Sequence, residues 1–194
     1  MPNSPPPTDD PRSRLMEIIL RQSFRRGRFQ LASGAWSDYY IDLRRTTLDP
    51  DGLVAACALL APRISEARVA AVGGPTLGAD PLVAGLMLDA RARGETMQGF
   101  LVRGAPKDHG AGRQIEGHCP EGARVAILDD VVTRGGSLMR SLDAVRAAGA
   151  LPVMALALVD REEGGPQLFR EAGLDFYAVF RVGEILQAAE VRGI

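Results

Sequence analysis

The length, composition and charge of the chain limit the kind of protein it can be. It has 194 residues, 46% of them hydrophobic and 24% charged, which is enough to bury the core of one α/β domain. The formal net charge of −1 excludes a global electrostatic attraction to nucleic acid or to an anionic membrane. Any binding of an anionic ligand must therefore depend on a local group of residues.

The N-terminus and the cysteines indicate a cytoplasmic protein. Residues 1–12 are predicted to be a disordered tail, and the proline-rich, acidic start lacks the basic and apolar regions of a secretory signal. Cys57 and Cys119 provide neither a disulfide framework nor a metal-ligand spacing, which suits a reducing compartment. The apolar stretches are too short to span a bilayer, so we expect a soluble protein without membrane or nucleic-acid partners.

The first predicted elements are a helix and a small hood. Residues 15–19 follow a helical spacing, and the helix is expected to end near Gly27. Two β-type patches then flank a Ser-Gly turn, which predicts a hairpin-like hood over about residues 28–45. The pattern shows no second domain, so residues 13–194 are expected to form a single domain that includes the hood.

Beyond the hood, the pattern predicts alternating helices and strands. Helices are predicted over residues 53–64, 77–92 and 137–148, and strands over residues 69–72, 99–102, 125–128, 153–159 and 176–180. Short apolar strands separated by helices are typical of a parallel sheet that is covered on both faces. We therefore expect a doubly wound α/β fold with a mainly parallel sheet and a small N-terminal hood.

A candidate phosphate site follows the predicted strand at residues 125–128. Asp129 and Asp130 are placed at the carboxyl end of this strand, where ligands bind in open parallel sheets. The next residues, 133–137, open a helix with two glycines, so that backbone N–H groups can surround an anion. The two carboxylates can then accept hydrogen bonds from vicinal ribose hydroxyls. We interpret the segment as a ribose 5-phosphate site; a helix cap with a plain βα turn is the simpler alternative.

A long loop over residues 103–117 carries cations among glycines. Its candidate catalytic residues are Arg103, Lys107 and His109, and its composition suits a mobile lid. Their positive charge could stabilise a departing pyrophosphate, and closure would exclude water from an oxocarbenium-like centre. A solvated basic loop is the alternative interpretation.

Four segments resemble one enzyme family. Residues 125–137 resemble the phosphoribosyl-pyrophosphate signature of the type I phosphoribosyltransferases, with an apolar strand, two acids, two apolar residues and Thr-x-Gly-Gly-Ser. The Lys-Asp-His-Gly run at residues 107–110 resembles the catalytic loop of orotate phosphoribosyltransferase. Residues 29–42 resemble the hood of that family, and residues 159–161 resemble its strand end, so the similarity extends over most of the chain.

This resemblance implies both a reaction and its substrates. The implied enzyme transfers ribose 5-phosphate from 5-phosphoribosyl 1-pyrophosphate to N1 of orotate, which gives orotidine 5′-monophosphate and pyrophosphate in pyrimidine biosynthesis. Mg²⁺ would be held mainly through substrate oxygens and water rather than by a protein cage. A homodimer is also implied, in which the lid of one subunit acts on the site of its partner.

The resemblance also implies which residues bind each substrate. Phosphoribosyl pyrophosphate would contact residues of the lid and of the phosphate segment, namely Arg103, Lys107, His109, Asp129, Asp130, Val131, Val132, Thr133, Arg134, Gly135, Gly136 and Ser137. Orotate would contact Tyr40, Ile41, Thr133 and Arg161. A guanidinium such as that of Arg161 suits the orotate carboxylate, because it binds a carboxylate with two parallel hydrogen bonds.

Three positions depart from the family pattern, and each lacks a cation that some members have. Gly104 follows the lid arginine, Leu77 and Gly78 replace a frequent Tyr-Lys pair, and Ala32 precedes the Ser-Gly turn. Two other functions remain as alternatives. A purine-base phosphoribosyltransferase is disfavoured by the Lys-Asp-His-Gly run, and a non-enzymatic regulator that senses phosphoribosyl pyrophosphate is disfavoured by the charge balance.

Overall fold

The structure is a computed structural model that describes residues 10–30, 34, 36–104 and 114–194. Helix α1, Pro11–Ile18, begins at an Asp10 cap whose carboxylate accepts hydrogen bonds from two backbone N–H groups of the first turn. One π-helical turn, Ile19–Ser23, follows it directly. Among the described residues, none of the helices is long and apolar enough to cross a membrane.

The hood is a two-stranded antiparallel sheet. Strand β1, Phe24–Gln30, pairs with strand β2, Trp36–Ile41. The prediction that the first helix ends near Gly27 is wrong, because the chain leaves the helix after Ser23 and pairs with β2 from the Phe24↔Ile41 pair onward. Cross-strand packing and hydrogen bonding thus override the helical spacing of the preceding residues.

The central sheet has six strands. They are β3, Ala71–Pro75; β4, Gln98–Val102; β5, Ile115–Gly117; β6, Arg124–Val132; β7, Leu151–Asp160; and β8, Asp175–Arg181. The strand order is β5-β4-β3-β6-β7-β8, and β5 is the antiparallel strand at one edge. The prediction of a mainly parallel sheet is confirmed.

Helices cover both faces of this sheet. The remaining helices are α2, Arg44–Thr47; α3, Pro50–Ala67; α4, Asp80–Ala92; α5, Gly136–Ala147; α6, Gly165–Glu171; and α7, Val182–Val191. Side chains of α1, α3, α4 and α7 form a core with one face, and side chains of α5 and α6 form a core with the other. The doubly wound α/β prediction is therefore confirmed, although α2, α6, α7 and the short β5 were not predicted.

The strand order reverses between the two middle strands of the sheet, β3 and β6: β4 lies on the far side of β3, and β7 lies on the far side of β6. The two middle strands pair from Ala71↔Val125 to Gly73↔Ile127, whereas β6 goes on to pair with β7 as far as Val132↔Asp160. The carboxyl-terminal part of β6 therefore has β7 on one side and a crevice on the other. Ligands bind at such a switch point in open α/β sheets.

Candidate active site

A cleft of about 390 Å³ occupies this crevice. It is formed by the end of the hood, the loop after β3 and the end of β6, and its lining residues are Tyr40, Ile41, Asp42, Leu43, Arg44, Pro75, Thr76, Leu77, Gly78, Asp129, Asp130, Val131 and Ser137. Cavities of similar volume beside β8, of about 400 and 440 Å³, contain none of the predicted site residues. The predicted substrate residues therefore distinguish the cleft at the crevice from the two cavities beside β8.

Two adjacent acids form the floor of the cleft. Asp129 is 8% exposed, and its pKa lies well above the usual value because of burial first and the negative charge of Asp130 second. Burial also raises the pKa of Asp130, against hydrogen bonds that favour the carboxylate. The backbone N–H of Asp130 donates to Asp129 Oδ1 over 2.9 Å, and that of Val131 donates to Asp130 Oδ1 over 2.8 Å. Such a pair is well suited to hydroxyl donors or a cation.

These acids lie inside β6, which corrects the predicted strand boundary. The strand was expected to end at Leu128, but pairing with β7 continues through Asp129↔Ala157 and Val131↔Val159. The reason is that an acid can take part in a parallel ladder through its backbone while its side chain faces a cleft. The prediction that both acids lie beside a ligand crevice is unaffected.

Replacing Asp129 by asparagine is expected to stabilise the ligand-free protein at neutral pH. Because the folded-state pKa of Asp129 is raised, the folded protein binds more protons than the unfolded chain, so the free energy of unfolding falls as pH rises from about 4 through the folded-state pKa. Urea midpoints measured at pH 5 and pH 8 should show a smaller decline in Asp129→Asn. Asp143→Asn, on an exposed part of α5, is the matched control. An unchanged decline in Asp129→Asn would contradict this account.

The phosphate loop leads from β6 into α5. Gly135 caps this helix with a φ of 78°, a conformation that favours glycine, and α5 begins at Gly136. A smaller cavity at the loop is lined by Asp129, Val131, Val132, Thr133, Gly135, Gly136, Ser137 and Leu138. The prediction that residues 133–137 open a helix is confirmed, and the free N–H groups of this helix start can bind an anion.

Helix α6, which the sequence pattern did not predict, supports the phosphate loop. A Cβ added at Gly165, the first residue of α6, would lie 2.5 Å from Val132 Cγ1 and 2.9 Å from the Thr133 carbonyl oxygen. The backbone of α6 thus packs directly against the loop because the position is glycine. The Gly-Gly-Pro run at residues 164–166 was the available sequence signal for a helix start.

The loop after β3 forms the opposite wall of the cleft. Its Thr76–Leu77 peptide bond is cis, and the Thr76 N–H donates to the Val102 carbonyl over 3.1 Å. A Cβ added at Gly78 would lie 2.3 Å from Asp129 Oδ1 and 2.5 Å from Asp130 Oδ1. Glycine therefore allows this loop to approach the acidic pair.

Replacing Gly78 by alanine is expected to reduce kcat/KM by about tenfold or more, because the loop or the acids must move and a displacement of about 1 Å can cost up to two orders of magnitude in rate. The control is Gly104→Ala, since a Cβ there meets no described atom within 4 Å. Initial rates with phosphoribosyl pyrophosphate and orotate would test this. Equal rates for the two variants would mean that the close approach has no catalytic consequence.

Arg161 lies at the end of β7, beside the hood. Its side chain is 16% exposed, its Nη2 donates to Tyr39 Oη over 3.4 Å, and its guanidinium carbon lies 5.3 Å from the centre of the Tyr39 ring. Tyr39 in turn stacks on the buried Phe24 at 6.3 Å. Arg161 Nε lies 3.1 Å from Glu163 Oε1 but has no hydrogen-bond acceptor among the described residues. The guanidinium of Arg161 is therefore largely shielded from solvent and paired by charge with Glu163.

Of the three candidate catalytic residues of the lid, the structure describes only Arg103. Arg103 and Gln114, which flank residues 105–113, are joined by an N–H···O bond of 2.9 Å and a side-chain bond of 3.1 Å. The Arg103 guanidinium lies 3.7 Å from the carboxylate of Glu116 and does not line the cleft. Lys107 and His109 lie outside the described residues.

The structure therefore brings most, but not all, of the predicted residues together. Tyr40 and Ile41 join the acids and Ser137 in the main cleft, Thr133 lines the adjacent cavity, and Arg103, Arg134 and Arg161 line neither. Three further residues line the cleft and were given no role from the sequence, namely Asp42, Leu43 and Arg44. They directly follow the predicted orotate contacts. Their proximity in sequence to Tyr40 and Ile41 was the signal.

The strand order, the crevice between β3 and β6 and the acidic pair before a phosphate loop define a type I phosphoribosyltransferase fold. No family model matches the chain. It is 41% identical to the orotate phosphoribosyltransferase of Bradyrhizobium diazoefficiens over 181 residues, which cover 91% of this chain and 97% of the relative. It is 36% identical to that of a Nostoc species, with 94% and 88% covered. The chain therefore belongs to the orotate phosphoribosyltransferase family.

Solved structures agree with this assignment. The structure is similar to orotate phosphoribosyltransferase of Mycobacterium tuberculosis in complex with Fe(III) dicitrate, with a TM-score of 0.80 and 34% identity, covering 90% of this chain and 98% of the other. The complex of the same enzyme with 5-phospho-α-D-ribosyl 1-diphosphate gives a TM-score of 0.76 and 30% identity over the same shares. Adenine phosphoribosyltransferase of Thermoanaerobacter pseudethanolicus, at 0.63 and 17% over 86% and 99%, shares the fold alone.

Proposed function

We infer that this chain transfers ribose 5-phosphate from 5-phosphoribosyl 1-pyrophosphate to N1 of orotate in pyrimidine biosynthesis. The observation that carries this function is the cleft itself: in a member of this family, Asp129 and Asp130 lie between a phosphate loop and the hood. The products are orotidine 5′-monophosphate and pyrophosphate. The acids and the loop are the parts that recognise the donor substrate.

The donor fits the cleft in one direction. Its 5-phosphate binds the N–H groups and hydroxyls of residues 133–137, and its ribose hydroxyls donate to Asp129 and Asp130. The pyrophosphate then extends toward residues 75–78 on the opposite wall. Burial raises the pKa values of both acids, which means that their ionised forms are poorly solvated in the cleft. A ligand that brings hydroxyl donors or a cation would stabilise these ionised carboxylates, because they can only accept hydrogen bonds.

Orotate fits between the hood and the end of β7. Tyr40 and Ile41 border its ring, and Thr133 contacts it from the phosphate loop. Arg161, at the end of β7 beside the hood, binds its carboxylate. The shielding of this guanidinium, whose side chain is 16% exposed and which lies 5.3 Å from the centre of the Tyr39 ring, supports this assignment, because a partly desolvated guanidinium favours a carboxylate partner.

The lid supplies the positive charge that the chemistry requires. Breaking the C1–O bond of the ribose places negative charge on the pyrophosphate, which Lys107, His109 and Arg103 stabilise as it departs. As the C1–O bond breaks, N1 of orotate bonds to C1 and releases its proton to solvent, so the cations of the lid contribute charge stabilisation rather than general-base catalysis. Closure of the lid over the substrates excludes water from the oxocarbenium-like carbon.

Mg²⁺ is the proposed cofactor, and the residues of the cleft fit a metal that is held mainly by substrate. Within the described part of the chain, no group of three or more His, Cys, Asp or Glu side chains could hold a metal alone. Asp129 and Asp130 are oxygen donors of the kind that Mg²⁺ prefers, and substrate oxygens and water complete its shell. Bound there, Mg²⁺ neutralises charge on the pyrophosphate.

We propose a homodimer in which each lid acts on the cleft of the partner. The position of Arg103 supports this, since the base of the lid does not line the cleft of its own chain. We also propose a cytoplasmic location. The thiols of Cys57 and Cys119 are both free, and burial raises the pKa of Cys57 to about 11, which leaves it in the unreactive thiol form.

A purine base is the alternative acceptor, because the fold is shared with an adenine phosphoribosyltransferase. Incubation with phosphoribosyl pyrophosphate, Mg²⁺ and either orotate or a purine base separates the two functions. We expect loss of orotate absorbance that stops when Mg²⁺ is chelated, and no turnover of adenine or hypoxanthine. Turnover of a purine but not of orotate would overturn the acceptor assignment, and ligand binding without any turnover would favour a regulator.

A further inference from the structure

The walls of the cleft carry more negative than positive charge. Its lining includes the carboxylates of Asp42, Asp129 and Asp130, and Arg44 is the only cationic residue among the described residues that line it. The smaller cavity at the phosphate loop adds no cation. Phosphoribosyl pyrophosphate is itself strongly anionic, so a cationic side chain on the walls of the cleft would strengthen its binding.

Arg44 is held in place at the start of α2. Its Nε donates to Asp42 Oδ1 over 2.9 Å, and 48% of its side chain is exposed. Among the described residues, this is the hydrogen bond that the Arg44 side chain makes, so its two terminal nitrogens, with four N–H donors, can face an oxyanion. The charge of Arg44 also reaches the acidic pair, because it opposes the burial that raises the pKa of Asp130.

The opposite wall leaves no space for a cation beside the acids. Some family members have a lysine in the loop after β3, where this chain has Gly78. The first carbon of any side chain at Gly78 would already lie 2.3 Å from Asp129 Oδ1 and 2.5 Å from Asp130 Oδ1. In this backbone arrangement, the loop at Gly78 cannot place a cationic side chain beside the acids, whereas Arg44 lines the cleft from the hood side.

We propose that Arg44 binds the pyrophosphate of phosphoribosyl pyrophosphate and thereby supplies, from the end of the hood, the cation that the loop at Gly78 lacks. Asp42 is then a positioning residue, since its hydrogen bond to Nε holds the guanidinium of a residue that lines the cleft. The proposal rests on the proposed function, because it names a residue that binds the donor substrate of that reaction.

Arg44→Gln tests this proposal, with Arg45→Gln as the matched control. Both residues belong to α2 and both are exposed, but Arg45 does not line the cleft. In Arg44→Gln we expect the KM for phosphoribosyl pyrophosphate to rise about 10- to 100-fold, the range of one charge-assisted hydrogen bond, while the KM for orotate changes less than about twofold. Arg45→Gln should match the unsubstituted chain in both constants.

Pyrophosphate binding, measured by calorimetry with Mg²⁺ present, gives a second test that needs no turnover. Arg44→Gln should weaken it by a similar factor, and Asp42→Asn by a smaller one. Equal affinities for Arg44→Gln and Arg45→Gln would overturn the proposal, as would a rise in the KM for orotate alone. Absence of orotate turnover in the unsubstituted chain would instead count against the proposed function, while the pyrophosphate measurement would still decide the role of Arg44.

Discussion

Replacing Lys107 by alanine is expected to reduce kcat by about 10²- to 10³-fold, which is the typical cost of removing one group that stabilises charge in a transition state. The KM for orotate should change little, because the proposed role of the lid is to stabilise the departing pyrophosphate. Steady-state kinetics with each substrate varied in turn would measure both effects. Lys107→Arg, which keeps the charge, should retain more activity than Lys107→Ala.

Lys107 also offers a chemical test, because it is the only lysine among the 23 lysine and arginine residues of the chain. Acylation of lysine should therefore inactivate the enzyme by modifying one side chain, and phosphoribosyl pyrophosphate with Mg²⁺ should protect it. Peptide mass spectrometry would separate this modification from that of the N-terminal amine. Full activity after complete modification of Lys107 would contradict the proposed role of the lid.

Replacing Arg161 by methionine is expected to raise the KM for orotate by about 10²-fold, with a small effect on the KM for phosphoribosyl pyrophosphate. A rise of about 10²-fold in KM corresponds to about 3 kcal/mol of binding free energy, which is the typical contribution of a bidentate ion pair. The Arg161 side chain is only 16% exposed, so solvent screens this pair little. Arg161→Lys should also be impaired, because an ammonium cannot form the planar pair with a carboxylate.

Tyr39→Phe provides a graded control for Arg161. It removes the Oη that accepts the 3.4 Å hydrogen bond but keeps the ring beneath the guanidinium, so the KM for orotate should rise only about two- to tenfold. Orotate affinities in the order unsubstituted chain, Tyr39→Phe, Arg161→Met would support the account. An unchanged KM for orotate in Arg161→Met would exclude Arg161 as the carboxylate ligand.

The central strands and the phosphate segment were predictable because their patterns are local. An apolar strand, two acids and a glycine-containing helix start each have a physical reason within a few residues, and the structure places residues 129–137 along the predicted crevice. The switch point between β3 and β6 also follows from the alternation of strands and helices once the strand order is known.

The features that the sequence did not predict depend on contacts between distant segments. The first helix ends early because β1 pairs with β2, and β6 extends past Leu128 because β7 pairs with it. The packing of α6 against the phosphate loop depends on Gly165. Arg44 was missed for the same reason: its place in the cleft requires that the hood, the loop at Gly78 and β6 meet.

The identity of the nucleotide product tests the central claim most directly. Orotate, adenine and hypoxanthine can be supplied together at equal concentration with phosphoribosyl pyrophosphate and Mg²⁺, and the nucleotides that form can be identified by mass spectrometry. We predict orotidine 5′-monophosphate as the sole nucleotide product, with an equimolar amount of pyrophosphate. Formation of a purine nucleotide instead, or of no nucleotide at all, would contradict the assignment of this cleft to orotate.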